Sequence, residues 1–165
     1  EAKLNAQGSP WSNRVTIIAG DITSPEFLDS LPKPDLIVSN PPFFTETLKS
    51  PEMARGMARH ESALGVESLI NIAASILSND GRLCFIAPTH RADDIEFTAT
   101  MTKMHIIQRI DIKTTIAKAP VRTLWELSKT DTGEFIHEVQ SMRDESGAYS
   151  EWYRSLTKEF YTHLK

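Results

Sequence analysis

Short runs of apolar residues, many of them β-branched, alternate along this chain with segments in which apolar residues recur at helical spacing. A continuous apolar run of about four to eight residues is typical of a strand that is buried on both faces of a sheet. The runs that we interpret as strands cover residues 15–19, 35–39, 83–87, 106–112, 123–127 and 135–139. Their alternation with helical segments predicts an α/β fold with a mostly parallel sheet, covered by helices on both faces.

Two of these runs depart from the alternation. Residues 106–112 and 123–127 follow one another without an intervening helical pattern, so we expect an antiparallel pair at one edge of the sheet. Helices are predicted at 1–6, from Ser24 to the residues before Pro32, at 62–78, at 91–103 and at 149–164. A chain of 165 residues can bury one core, and we expect a single domain.

Composition excludes several classes of protein. The net charge of -4 argues against a protein that coats nucleic acid regardless of sequence, which needs a strongly basic face. Cys84 is the only cysteine, which excludes an internal disulfide, fits a reducing cytoplasm and predicts a buried free thiol. No run approaches the ~18 apolar residues that cross a membrane. The five histidines show no ligand spacing with the cysteine or with acids, so no metal site is expected.

The loop Asn40-Pro41-Pro42-Phe43 closes the predicted strand 35–39. In an open parallel sheet, ligands bind outside the carboxyl ends of the strands. Each proline fixes its own φ and disfavours helical backbone in the preceding residue, so Asn40 and Pro41 lose little further entropy when they are held extended. Neither proline donates a backbone hydrogen bond, Asn40 adds an uncharged side-chain carbonyl oxygen, and Phe43 adds a flat apolar face.

Such a loop offers two acceptors for an exocyclic NH2 group and a surface on which a base can stack. The lone pair of an aromatic amine is delocalised into the ring, and holding both N–H bonds between acceptors favours a pyramidal nitrogen. The loop would therefore assist methylation through orientation and electrostatics rather than through a strong base. Asn-Pro and Pro-Pro are also common turn markers, so a turn without chemistry is the alternative interpretation.

The segment 35–43 resembles the fourth-strand motif of class I amino-methyltransferases. The likeness extends over nearly all of the chain, through the basic segment 58–60, the helix with Leu69 and Ala73, the segments 81–83 and 86–88, Arg122 and the closing segment 156–161. Together they resemble the bacterial tRNA (adenine-N6)-methyltransferases that act beside the anticodon of a valine tRNA. This resemblance implies a Rossmann-like class I methyltransferase sheet, S-adenosyl-L-methionine as the cofactor and tRNA as the substrate.

The resemblance also implies roles for individual residues. Asn40, Pro41, Pro42 and Phe43 would form the catalytic loop that holds the target adenine. The adenine ring of the cofactor would be contacted by Asp21 and the backbone of Ile22, and Asn40 would also bind the cofactor. The alternative for Asp21 is an aspartate that caps a turn or a helix.

Four further residues are expected to bind the substrate. Arg59 and His60 would lie near its entrance, and a solvated polar segment is the alternative for both. Lys118 and Arg122 lie with Lys113 on the connection between the two late strands, where they favour RNA. A solvated hairpin is the alternative for this connection.

Two features of the family have no match in this chain: the glycine-rich loop after the first strand and the acid after the second strand, which holds the cofactor ribose. We therefore expect a sheet that lacks its first two strands. On this interpretation, residues 1–165 are the C-terminal portion of a single methyltransferase domain, and they bind cofactor poorly by themselves.

Other substrates and another class of protein stay open at this point. A protein glutamine and a DNA adenine also present an NH2 group, so the loop chemistry does not separate them from RNA. An anticodon-loop base is unpaired, which removes the flipping cost that duplex DNA imposes and favours RNA. A catalytically silent RNA-binding module that retains the fold is the alternative from a different class. The sequence does not determine the oligomeric state.

Overall fold

The computed structural model describes residues 1–41 and 65–161. The chain divides into two compact units, Glu1–Pro32 and Lys33–Lys165. In the first unit, the regular structure consists of two short helices. The second unit contains the sheet and the hydrophobic core.

The two helices of the first unit are α1 (Ala2–Gln7) and α2 (Pro25–Asp29). Ser24 caps α2, because its hydroxyl oxygen accepts a hydrogen bond from the backbone N–H of Phe27 at 3.3 Å. Pro25 occupies the first helical position, where its missing N–H costs nothing. The helix start predicted at Ser24 is confirmed.

The strand predicted at residues 15–19 is not formed, and this prediction was wrong. Val15 and Ile18 are 43% and 56% exposed. An apolar, β-branched run favours extended backbone, but a strand also needs a neighbour that pairs with its N–H and C=O groups. Residues 15–19 belong to none of the strand pairs in the described part of the chain.

The second unit contains a five-stranded sheet with the order β1-β2-β4-β3-β5. Its strands are β1 (Leu36–Ser39), β2 (Arg82–Pro88), β3 (His105–Lys113), β4 (Arg122–Ser128) and β5 (Ile136–Ser141). Its described helices are α3 (Val66–Ile76), α4 (Ala92–Thr102) and α5 (Glu151–Thr157). The predicted α/β class is confirmed.

The sheet is mixed. β1 pairs with β2 and β3 pairs with β5 in parallel, whereas β4 is antiparallel to both β2 and β3. The expected antiparallel pair of 106–112 and 123–127 is therefore present, although β5 adds to β3 and occupies the outer position. The carboxyl ends of β1, β2, β3 and β5 consequently share one edge with the start of β4. We call this edge the carboxyl edge.

The hydrophobic core lies on one face of the sheet, which we call the core face. Alternate residues of β2 and β4 point into it, among them Leu83, Phe85, Trp125 and Leu127, all at most 3% exposed. Apolar residues of α3 and α4 pack against them. Because strand side chains alternate, the remaining residues of the same strands point to the opposite face.

That opposite face, which we call the open face, carries Cys84, Ile86, Gln108, Ile110 and Leu124, and all five are only partly buried. The expectation of helices on both faces is thus not met by the described residues, since α3 and α4 both pack on the core face. For the same reason, Cys84 is half-buried and not the buried thiol that its apolar neighbours predicted.

The last helix is shorter than its aromatic pattern predicted. Ser150 caps α5 by accepting from the backbone N–H of Tyr153 at 3.1 Å, so the helix begins at Glu151 and not at residue 149. It ends at Thr157. Among the described helices, none is both long and apolar enough to span a membrane.

Candidate active site

Asn40 lies at the carboxyl edge, directly after the last residue of β1. β1 runs parallel to β2 with Ser39 opposite Phe85, and β2 continues three residues further, to Pro88. Pro41 is less than 2% exposed, whereas Asn40 is exposed. A buried, rigid proline thus anchors the backbone beside an accessible amide. Pro42 and Phe43 lie outside the described residues, as do Arg59 and His60.

A groove of about 460 Å³ runs along the open face and has Asn40 at one end. Its lining is mainly apolar and includes Val38, Ile86 and Leu124, with Gln108 and Glu126 as polar members. A groove of this composition accommodates a largely apolar group and offers few hydrogen bonds to orient it. Within residues 1–41 and 65–161, Asn40 is the one predicted site residue that lines this groove.

Cys84 also lines the groove, and its environment suppresses thiolate formation. Burial raises the pKa of the thiol, and the nearby Glu126 carboxylate raises it further, while Arg82 opposes both effects. The thiolate is the nucleophilic form of cysteine. Cys84 therefore stays a neutral thiol at neutral pH and serves as part of the apolar lining.

Asp21 lies in the first unit and closes a tight turn before α2. Its Oδ1 accepts hydrogen bonds from the backbone N–H of Thr23 at 2.9 Å and from the Thr23 hydroxyl at 2.7 Å. These bonds lower the pKa of Asp21, the hydroxyl bond contributing most. The carboxylate is exposed and ionised, and Ile22 beside it is partly buried. The turn-capping role of Asp21 is therefore present in the structure.

Gly20 has a structural reason to lack a side chain. A Cβ at this position would lie 2.1 Å from a ring carbon of Phe27. The aromatic ring of α2 thus packs directly on the backbone that precedes Asp21. This contact holds the turn of Asp21 and Ile22 against the helix that follows it.

The basic connection between β3 and β4 lies at the same carboxyl edge as Asn40. Arg122 is opposite Pro88 on β2 and Ile112 on β3, and both Arg122 and Lys118 are exposed. The connection is tied down by a bond from the Val121 N–H to the Ile112 carbonyl at 2.9 Å. β4 is two strand spacings from β1, so Arg122 starts roughly 10 Å to the side of Asn40.

The sequence did not predict a buried ionic cluster on the core face around Asp111. Asp111 is 5% exposed. It accepts hydrogen bonds from Arg109 at 3.1 Å and from the Thr123 hydroxyl at 2.6 Å, and His137 Nε2 lies 2.9 Å from its Oδ2. Burial acts to raise the pKa of Asp111, but these partners outweigh it and lower the pKa.

The Asp111 cluster joins three strands, because Arg109 and Asp111 are on β3, Thr123 is on β4 and His137 is on β5. The spacing of two between Arg109 and Asp111 does place both on one face of a strand. Their partners depend on strand register, which the sequence alone does not contain. The cluster braces the outer strand and lies apart from Asn40.

Comparison with known proteins places these features in context. No family model matches the chain. It is 39% identical to the tRNA1(Val) (adenine(37)-N6)-methyltransferase of Porphyromonas gingivalis, over 98% of this chain and 65% of that protein. It is 33% identical to the protein of the same name from Bacteroides thetaiotaomicron, over 100% of this chain and 68% of that protein. The chain thus spans about two thirds of the length of these relatives.

Solved structures share the fold at low sequence identity. A predicted O-methyltransferase from Agrobacterium tumefaciens superposes with a TM-score of 0.65 at 16% identity, covering 94% of this chain and 70% of that chain. The M protein of the type I restriction enzyme EcoKI superposes with a TM-score of 0.53 at 14% identity, covering 97% of this chain and 38% of that chain. These likenesses confirm the methyltransferase-type α/β fold.

Proposed function

This chain belongs to the tRNA1(Val) (adenine(37)-N6)-methyltransferase family, and from that membership we propose that the protein methylates the N6 amine of a tRNA adenine, next to the anticodon of a valine tRNA. The observation that carries this proposal is the position of Asn40. Its exposed amide follows a strand at the carboxyl edge and is backed by the buried Pro41.

Asn40 would act by holding the adenine amine. Its side-chain oxygen and a neighbouring backbone carbonyl accept the two N6–H bonds, which directs the nitrogen lone pair away from the ring plane. Pro41 keeps these acceptors in place before the substrate arrives, so little entropy is lost on binding. Pro42 and Phe43 complete the loop in this proposal, with Phe43 as the stacking surface for the base.

S-adenosyl-L-methionine would supply an electrophilic methyl group. The chemistry of Asp21 fits such a cofactor, because the exposed carboxylate is held ionised by Thr23 and can accept a hydrogen bond from an exocyclic amine. Its Oδ2 oxygen and the backbone of Ile22 would contact the cofactor adenine. Asn40 is the third residue that we propose for cofactor binding.

The basic connection at the carboxyl edge supports RNA as the substrate. In the sheet, β4 and β3 lie roughly 10 Å and 14 Å to the side of β1, the strand that carries Asn40. Lys118 lies on this connection, which is flanked by Lys113 at the end of β3 and Arg122 at the start of β4. They would bind phosphates that flank the target nucleotide, and Arg59 and His60 would extend this contact at the substrate entrance. An unpaired anticodon-loop base reaches the site without the cost of opening a duplex. We place the reaction in the cytoplasm, where the single cysteine stays reduced.

Replacing Asn40 tests the proposal. We expect N40A in the natural polypeptide to reduce methyl transfer from labelled S-adenosylmethionine to an unmodified valine tRNA transcript by about 100-fold or more, since both orientation and electrostatics are lost. N71A is a matched control: Asn71 is an exposed asparagine on α3, bonded to the Glu67 carbonyl at 2.8 Å. Its activity should equal that of the wild type.

Three results separate the alternatives. Full activity in N40A would remove Asn40 from the mechanism. Tight tRNA binding by the wild type without any methyl incorporation would instead favour the catalytically silent RNA-binding module. Unchanged melting temperatures for N40A and N71A would show that any loss of activity does not come from unfolding.

A further inference from the structure

A stack of three planar groups projects from the sheet beyond the end of β5. The guanidinium carbon of Arg143 lies 4.5 Å from the ring centroid of Tyr149. The Tyr149 and Tyr153 rings follow, with centroids 5.1 Å apart and planes inclined by 23°. Arg143 is exposed and the two tyrosines are partly buried. The charged, planar end of the stack therefore faces solvent.

The loop that carries Arg143 is held by its own hydrogen bonds. The Arg143 Nη1 donates to the Gly147 carbonyl at 2.6 Å. Asp144 Oδ1 accepts from the backbone N–H groups of Ser146 at 2.9 Å and Ala148 at 3.1 Å. The carboxylate of Asp144 is thus engaged inside the loop. The Gly147 carbonyl fixes the edge of the Arg143 guanidinium, and the Tyr149 ring covers one of its planes. A guanidinium held in this way loses little conformational entropy when a ligand stacks on its other plane.

The other end of the stack is fixed to the sheet by Ser150. The Ser150 hydroxyl donates to the Ser141 carbonyl at 2.6 Å, at the end of β5, and its oxygen caps α5 through the Tyr153 N–H. Tyr149 and Tyr153 flank this cap along the chain. The orientation of the stack is therefore set by the sheet and not by a free terminal helix.

The stack lies at the same edge as the candidate active site. β5 is four strand spacings from β1 in the order of the sheet, a lateral separation of roughly 19 Å, and it ends about three residues beyond the level of Asn40. The basic connection with Lys118 and Arg122 lies between Asn40 and the stack, since it joins β3 and β4, which both lie between β1 and β5 in the sheet. A shallow groove of about 520 Å³ beside the stack is lined by Tyr149, Arg154 and Lys158, with Asp144 and Glu151 as its acids.

We propose that the Arg143–Tyr149–Tyr153 stack is a second RNA-binding site, which receives an unpaired base on the exposed plane of Arg143 while Lys158 or Arg154 binds its phosphate. Bases stack on aromatic rings and on arginine planes without regard to their identity. Because the strand that leads to this site is separated laterally from β1 by roughly 19 Å, the site takes a nucleotide several positions away from the target adenine. The inference rests on the proposed function, because it requires RNA as the substrate.

The test measures tRNA affinity with Arg143 replaced in the natural polypeptide. We expect R143A to raise the Kd and the KM for an unmodified valine tRNA transcript about tenfold, since one base loses its stacking partner. The turnover number at saturating tRNA should stay within about twofold, because the stack does not touch the target base. R82A is the matched control, because Arg82 is an exposed arginine at the start of β2, at the edge of the sheet opposite the carboxyl edge. It should leave both constants unchanged.

The conservative variant R143K distinguishes loss of base stacking from a purely structural effect on tRNA binding. In R143K the ammonium can still bond the Gly147 carbonyl and attract phosphate, but it has no plane on which a base can stack. We expect R143K to keep the wild-type melting temperature and to remain several-fold weaker in tRNA binding. Equal tRNA affinity in R143A, R143K and R82A would overturn the second site while leaving the methylation proposal intact. Absence of tRNA binding by the wild type would overturn both.

Discussion

At the scale of single residues, the Asp111 cluster shows how a buried charge is stabilised. Arg109, Thr123 and His137 supply three hydrogen-bonding partners to a carboxylate that is 5% exposed. Arg109 also lies over the Trp125 ring, 5.1 Å from its centroid, and bonds Glu96 at 2.9 Å. Removing the carboxylate would leave its donors without their central acceptor.

We expect D111N to lower the free energy of unfolding by about 3 kcal/mol at pH 7. Because the folded state lowers the pKa of Asp111, this stabilisation is fully present above the ordinary aspartate pKa of 3.8 and is lost as the pH falls through the folded value. Denaturant unfolding should show a difference between the two proteins that shrinks as the pH falls below roughly 4. E145Q, at an exposed acid, serves as control. A difference that grew as the pH fell below roughly 4 would contradict the lowered pKa of Asp111.

At the scale of elements, local patterns predicted most helices and strands, because capping residues and apolar runs act within a few residues of chain. The strands β2, β3 and β4 lie within one residue of their predicted limits. Residues 15–19, where the predicted strand is not formed, have an equally apolar pattern. Pairing with a neighbouring strand is a long-range property that this pattern does not encode. The predicted start of α2 was correct, because Ser24 and Pro25 define it locally.

The contribution of the Ser24 cap to the stability of α2 can be measured. S24A should destabilise α2 by about 1 kcal/mol, because the Phe27 N–H loses its acceptor. Amide hydrogen exchange at Phe27 and Leu28 should accelerate about fivefold, which corresponds to that loss. The control is S30A, at the other end of the helix, where the hydroxyl donates to the Phe27 carbonyl. Exchange equally fast in S24A and wild type would show that the cap contributes nothing.

At the scale of the whole molecule, the sheet brings to one edge residues that are far apart in sequence. Asn40, the Lys118–Arg122 connection and the Arg143 stack all lie at the carboxyl edge. The first two could be predicted, because a strand followed by Asn-Pro-Pro and a basic connection are continuous in sequence. The Arg143 stack and the Asp111 cluster could not, since they depend on strand register and on loop hydrogen bonds.

We propose that the amine methylated at this edge belongs to a tRNA adenine. The most direct measurement offers the natural polypeptide labelled S-adenosylmethionine with an unmodified valine tRNA transcript, an adenine-containing duplex DNA and a glutamine-containing protein in one reaction. Nucleoside and amino-acid digests then identify the labelled product. We predict N6-methyladenosine, recovered from the tRNA and absent when N40A replaces the wild type. Label in DNA or in glutamine, with none in tRNA, would contradict tRNA as the substrate.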